Sequence, residues 1–192
     1  MPSIPKQRRI IDRAALVAQI DALIAYSRPQ DVRADLLGLL KGAMETGRAE
    51  VRRRFDDSEA SGEQVSHALS FLTDQIIRLI YDFATEQLYP AANPTEGERL
   101  CLAAVGGYGR GELAPFSDID LLFVLPYKQT PRSEQIIEHM LYMLWDLGLK
   151  VGHATRSIDE CLRQAKADIT IRSGLLEARY IWGEQNLFRE LR

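Results

Sequence analysis

The segment Val105-Gly-Gly-Tyr-Gly-Arg-Gly-Glu-Leu-Ala-Pro-Phe-Ser-Asp-Ile-Asp-Leu-Leu-Phe-Val-Leu125 decides how this chain folds. Apolar runs from Leu100 to Val105 and from Ile119 to Leu125 flank a glycine-rich turn and read as two strands buried on both faces. The second strand is expected to carry Asp118 and Asp120. Strand side chains alternate faces at roughly 3.3 Å per residue, so the two carboxylates share one face about 6.6 Å apart while Ile119 points the other way. Ionised carboxylates in an apolar strand are costly to desolvate, and two that converge also repel. A divalent cation removes both penalties. Hard oxygen donors suit Mg²⁺, which keeps waters and fills its remaining positions with substrate phosphates. Asp118 and Asp120 are therefore the candidate catalytic and metal-binding residues.

Working outward, Gly106 and Gly107 end the first strand where a side chain would block approach to the backbone, so their amides can face an anion. Arg110 adds a planar, permanently charged fork suited to phosphate oxygens, and Ser117 places a hydroxyl beside the first carboxylate. These four are the candidate nucleotide-phosphate ligands. Other glycine-rich readings fail. The run Gly106 to Gly111 lacks the spacing of a dinucleotide fingerprint with its following helix and distal acid, and no Lys-Ser/Thr follows as in a P-loop.

The pattern of Val105-Gly106-Gly107, ten residues, then Asp118-Ile119-Asp120-Leu121 resembles the nucleotidyltransferase superfamily of DNA polymerase beta. The longer string from Gly106 to Leu122 is more specific and is similar to the catalytic region of the bacterial protein-PII uridylyltransferase family. Leu144-Trp145-Asp146-Leu147, Val151-Gly152-His153, Arg156, Asp159-Glu160-Cys161 and Leu175-Leu176-Glu177-Ala178-Arg179 fit the same family. The resemblance is sharp from about Leu100 to Gly183 and general before that. It implies an α/β (α+β) fold: a small mixed sheet flanked by helices, with a helical N-terminal layer. It also implies a multifunctional, Mg²⁺-dependent enzyme that transfers UMP from UTP to a tyrosine of the PII nitrogen-signalling protein and releases pyrophosphate. Two alternatives stay open: an adenylyltransferase acting on glutamine synthetase, and a non-catalytic nucleotide-binding regulatory module.

At 192 residues and 46% hydrophobic content the chain can bury one good core. A formal charge of −3 argues against a nucleic-acid partner, though not against a nucleotide, which needs only local positive charge. Two cysteines, Cys101 and Cys161, suggest neither a disulfide scaffold nor a zinc site. No apolar run reaches a membrane span and no apolar signal region follows the N-terminal charges, so the expected compartment is the cytoplasm.

The remaining chain reads as supporting structure. Met1 to Arg9 is polar and basic; helices are expected from Leu16 to about Ser27, from Gln30 to Phe55, and from the Ser61/Gln64 capping signal to Tyr89. Arg48, Arg52, Arg53 and Arg54 read as a solvated helix end or a contact to a protein partner. The loop from Pro90 to Gly97 divides a helical region, 1–92, from a catalytic core, 93–192. Thr130-Pro131 opens a helix that covers the sheet, Leu149 to Arg156 is a strand, and Ser157/Glu160 caps a short helix. Ile169 to Trp182 and Leu187 onward read as helices. Because Arg192 falls inside an apparent helix without a capping signal, the core is expected to be truncated and the fragment inactive alone.

The third carboxylate common in the superfamily is missing from the strand Leu149 to Arg156, which presents His153 instead. Asp168, in a segment that matches the uridylyltransferase family, is one candidate for the missing acid. His153 is a candidate general base, its unperturbed pKa of roughly 6.5 suiting that role against the competing reading of a structural histidine. Arg156 is a candidate triphosphate contact.

Overall fold

The hairpin read around residues 101–125 forms the centre of a four-stranded sheet in a computed structural model that describes residues 4–92 and 95–192. Strands β1 (Cys101–Ala104) and β2 (Ile119–Leu125) run antiparallel, with Cys101 opposite Val124 and Ala104 opposite Leu121. β3 (Val151–Ser157) lies parallel to β2, and β4 (Arg179–Gly183) antiparallel to β1, in the order β3-β2-β1-β4. All of β1 is buried, and all of β2 except Asp120. Burial on two faces requires helices on both.

Alternation sorts the sheet residues into two cores. Leu102, Ala104, Ile119, Leu121, Phe123 and Ile181 face the larger one; Cys101, Ala103, Leu122 and Val124 face the smaller. The larger core is closed by α1 (Gln7–Ile10), α2 (Arg13–Ile24), α3 (Arg33–Asp56), α4 (Gly62–Asp82) and, beyond a turn α5 (Gly106–Gly109), by α6 (Pro131–Asp146). The capping box at Ser61 and Gln64 starts α4, whose Leu72, Ile76, Leu79 and Ile80 are buried; a π-helical turn, Phe83–Leu88, carries the chain on to Tyr89. Gly47 permits the close contact of α3 with α4. A Cβ there would lie 2.6 Å from Leu72 and 2.8 Å from the Ile10 carbonyl. The smaller core is closed by α7 (Ile158–Ala167), α8 (Ile169–Leu176) and α9 (Gln185–Leu191), through Cys161, Leu175, Leu187 and Phe188.

Several sequence readings need correction. The helix expected from Ile169 to Trp182 stops at Leu176, and Arg179–Gly183 becomes β4. The segment Arg-Tyr-Ile-Trp-Gly is aromatic and β-branched, and as a helix it would leave the buried edge of β1 without hydrogen-bond partners. β2 begins at Ile119, so Asp118 precedes the strand it was assigned to. The glycine-rich turn is itself one short helical turn. The basic residues at the end of α3 are mostly committed locally: Arg52 pairs with Asp56, Arg53 with Glu50, Asp57 and Glu59, and Arg54 with Glu50. Buried Arg54 also donates to the carbonyls of Pro5 and Lys6, at 2.8 and 3.1 Å, pinning the N-terminal segment to α3.

One hydrophobic cluster runs from Ile10 in the helical layer to Ile181 in the sheet. The border expected between Pro90 and Gly97 includes Asn93 and Pro94, which lie outside the described residues, as do Met1 to Ser3 of the basic N-terminal segment. No described helix is long and apolar enough to cross a membrane. Because Ile76 is fully buried between helices and sheet, Ile76→Ala should cost about 2–5 kcal/mol. Urea unfolding followed by far-UV circular dichroism and tryptophan fluorescence should move to a lower midpoint in both signals together.

Candidate active site

Asp120 is the one exposed side chain of β2, and Asp118 is exposed just ahead of the strand. The register sets Asp120 opposite Gly152 of β3, and Gly106 lies on its other side. A Cβ at Gly152 would collide with Asp120 Oδ1, and one at Gly106 would stand 3.3 Å from Oδ2. Gly106 also has φ of 60°, a conformation that favours glycine. The carboxylate thus occupies a cradle that any side chain would fill. Among the described residues no hydrogen bond or ion pair engages the carboxylate of Asp118 or Asp120, and no three His, Cys, Asp or Glu side chains are grouped to hold a metal. Two unneutralised hard-oxygen donors still fit Mg²⁺, which takes few protein ligands and completes its shell with water and phosphate. Gly152→Ala should displace Asp120 and weaken Mg²⁺-dependent nucleotide binding by about tenfold or more, measured by calorimetry.

The turn that follows β1 is closed by its later amides. Gly109 donates to the Val105 carbonyl and Arg110 to that of Gly106, whereas the amides of Gly106, Gly107 and Tyr108 precede any acceptor within the turn. Arg110 lies beside Gly107, its Nη2 3.6 Å from where a Cβ would be. Its guanidinium donates from Nε to Glu112 at 2.9 Å and from Nη1 to Glu177 at 2.8 Å, and these partners raise its pKa, Glu112 most strongly. Ser117 is placed elsewhere. It lines a separate cleft of about 240 Å³ with Phe116, Lys150 and Arg48.

A row of polar residues on α4 holds this turn in place. His67 Nδ1 donates to the Gly111 carbonyl at 2.8 Å, the Leu113 amide donates to Ser70 Oγ at 3.1 Å, and the Tyr108 hydroxyl donates to Asp74 Oδ1 at 2.6 Å. Arg179, at the start of β4, reaches both Asp74 oxygens at 2.6 and 3.1 Å, donates to the Tyr108 carbonyl at 3.1 Å and stacks on the Tyr108 ring. Burial and the adjacent Asp74 charge push the Tyr108 phenol up, so it remains a donor. Burial works against the Arg179 charge, but Asp74 and Tyr108 outweigh it and raise its pKa. The sequence alone marks none of these five residues as functional. The available signal was His67, Ser70 and Asp74 at helical spacing within an otherwise apolar stripe. Tyr108→Phe leaves the ring in place but removes a hydrogen bond to a buried charge, so stability should fall by about 1.5–3 kcal/mol in denaturant titrations.

Asp120 and Gly106 open onto a cleft of about 450 Å³ between the sheet and α8, together with Gly152, Ala154 and Arg156 of β3 and Thr170, Ser173 and Gly174 of α8. Arg156 is therefore on the Asp120 side of the sheet. The candidate acid Asp168 caps α8, accepting from the amides of Thr170 at 2.7 Å and Ile171 at 3.3 Å. His153 also borders the cleft, but it pairs in register with Leu121, so alternation turns its side chain to the opposite face, where its ring lies 6.3 Å from that of Trp145. Neither candidate joins the two aspartates, and the position facing Asp120 on β3 is glycine.

Residues 95–176 match the family model described as "Nucleotidyltransferase domain", and the mixed sheet with its flanking helices is consistent with that fold. The whole chain is 55% identical, over 193 aligned residues, to the "Bifunctional uridylyltransferase/uridylyl-removing enzyme" of Rhodospirillum rubrum, of which it covers 21%. Proteins with the same name are 52% identical in Azospirillum brasilense, over 99% of the chain and 20% of the relative, and 52% identical in Caulobacter vibrioides, over 95% and 20%. Residues 95–176 are thus similar to nucleotidyltransferase domains, and the relatives matched along the chain's length are named bifunctional uridylyltransferase/uridylyl-removing enzymes, of which it spans about a fifth.

Proposed function

We propose that this chain carries a Mg²⁺-dependent transfer of UMP from UTP to a tyrosine of the PII protein, with release of pyrophosphate. The observation that supports this most is the pair Asp118 and Asp120, unneutralised by any described side chain, with Asp120 in a glycine cradle at the mouth of the cleft. Asp118 and Asp120 would hold the metal, which when bound would supply charge neutralisation for the triphosphate and the leaving pyrophosphate. Gly106 and Gly107 offer amides to the phosphates. Arg110 reaches the phosphates by exchanging Glu112 and Glu177 for them. The tyrosine oxygen attacks the α-phosphorus as the bond to pyrophosphate breaks, and the phenolic proton passes to solvent water. Such a displacement depends on positioning and charge stabilisation and needs no enzyme nucleophile. Residues 1–92 act as the support for the catalytic residues 93–192, through α4 and its grip on the turn at Tyr108.

The test uses the full-length protein with Mg²⁺, labelled UTP and PII, alongside labelled ATP with glutamine synthetase. Label is expected on a PII tyrosine from UTP, and Asp118→Ala with Asp120→Ala should reduce transfer by about 100-fold or more. Undiminished transfer by the double variant would return both aspartates to a structural role, and label on glutamine synthetase from ATP alone would replace uridylyl with adenylyl transfer.

A further inference from the structure

The cleft has two chemically distinct ends. One is the Asp120 carboxylate between Gly106 and Gly152, without side-chain bulk and suited to a metal and phosphates. The other is walled by α8, where Thr170, Ser173 and Gly174 occupy positions i, i+3 and i+4 and so share one helix face. Opposite them, Leu122 and Ala154 form an apolar floor. Among the described residues neither the Thr170 nor the Ser173 hydroxyl has a hydrogen-bond partner; the backbone amide of Thr170 is the group engaged by the Asp168 cap.

Gly174 is the most informative position. Glycine weakens a helix relative to any larger ordinary residue, and here no neighbour requires it, since a Cβ would meet nothing within 4 Å. No positive φ requires it either. Its effect is to leave space in the cleft. That space is part of about 450 Å³, within the roughly 300–1,000 Å³ typical of small-molecule sites.

We propose that α8 is the nucleoside wall of this site, with Gly174 admitting the uracil and ribose of UTP and the Thr170 and Ser173 hydroxyls hydrogen-bonding them. The assignment rests on the uridylyl-transfer reading above. Uracil presents one N–H donor and two carbonyl acceptors, and a hydroxyl can serve either kind. An apolar floor with a few converging polar groups is the usual composition of a site that orients a planar ligand.

The test is calorimetry on the full-length protein with Mg²⁺, using UTP and inorganic tripolyphosphate as separate probes, with the melting temperature of each variant. Gly174→Leu fills open space on a helix and should melt at or above the wild-type temperature. It should bind tripolyphosphate as the wild type does and lose UTP affinity by about tenfold or more. Thr170→Val with Ser173→Ala, which removes the hydroxyls and keeps the helix, should weaken UTP by about fivefold or more and leave tripolyphosphate unchanged. Wild-type UTP affinity in Gly174→Leu, or parallel loss of both probes, overturns the assignment of α8. An unchanged double variant overturns the role of the hydroxyls. A wild-type protein that binds tripolyphosphate but not UTP overturns the uridylyl reading itself, and this inference with it.

Discussion

The buried carboxylate of Asp74 joins three elements that are distant in sequence. Placed on α4 with little solvent, it would be costly if unpaired; the Arg179 guanidinium from β4 neutralises it and the Tyr108 hydroxyl from the glycine turn donates a hydrogen bond to it. The geometry satisfies both carboxylate oxygens, and Arg179 uses a further N–H on the Tyr108 carbonyl. Breaking either partner leaves a charge in a dry environment, so the turn, the edge strand and the helical layer hold one another in position. The stacking of Gly109 directly on the Glu177 carbonyl, 2.5 Å from where a Cβ would stand, ties the same turn to the end of α8. The glycine turn, the cradle around Asp120 and the cleft wall thus rest on one support.

That support matters because β2 combines incompatible demands. Its residues are buried on both faces, which keeps the strand rigid, yet it must bring a charged group to the surface. Glycine at 106 and 152 resolves the conflict by opening space around Asp120 alone. A carboxylate on a rigid strand is placed more precisely than one on a loop, which suits a reaction that depends on positioning.

The glycine-rich segment was legible because its signals are local. Apolar runs, turn glycines and alternating aspartates act over a few residues, and the burial of Cys101–Ala104 and Ile119–Leu125 followed from them. Capping boxes at Ser61 and Ser157, and the helix opening at Thr130-Pro131, were legible for the same reason. Arg179–Gly183 was not. Helical spacing continued through it, and only the open edge of β1, almost 80 residues earlier, made it a strand. His153 shows the complementary limit, since its chemistry suits a base but strand register turns it toward Trp145.

By itself, then, the sequence determined the central hairpin and the helices whose caps and apolar periods are contained within each segment. Tertiary structure alone decided that Asp74, Tyr108 and Arg179 form one buried network and that Gly152 faces Asp120. It also decided that α8 walls the cleft. The division has a physical cause. Local backbone preferences are encoded within a turn or a strand, whereas desolvated charges and cleft walls take their meaning from whichever distant segment folding brings against them.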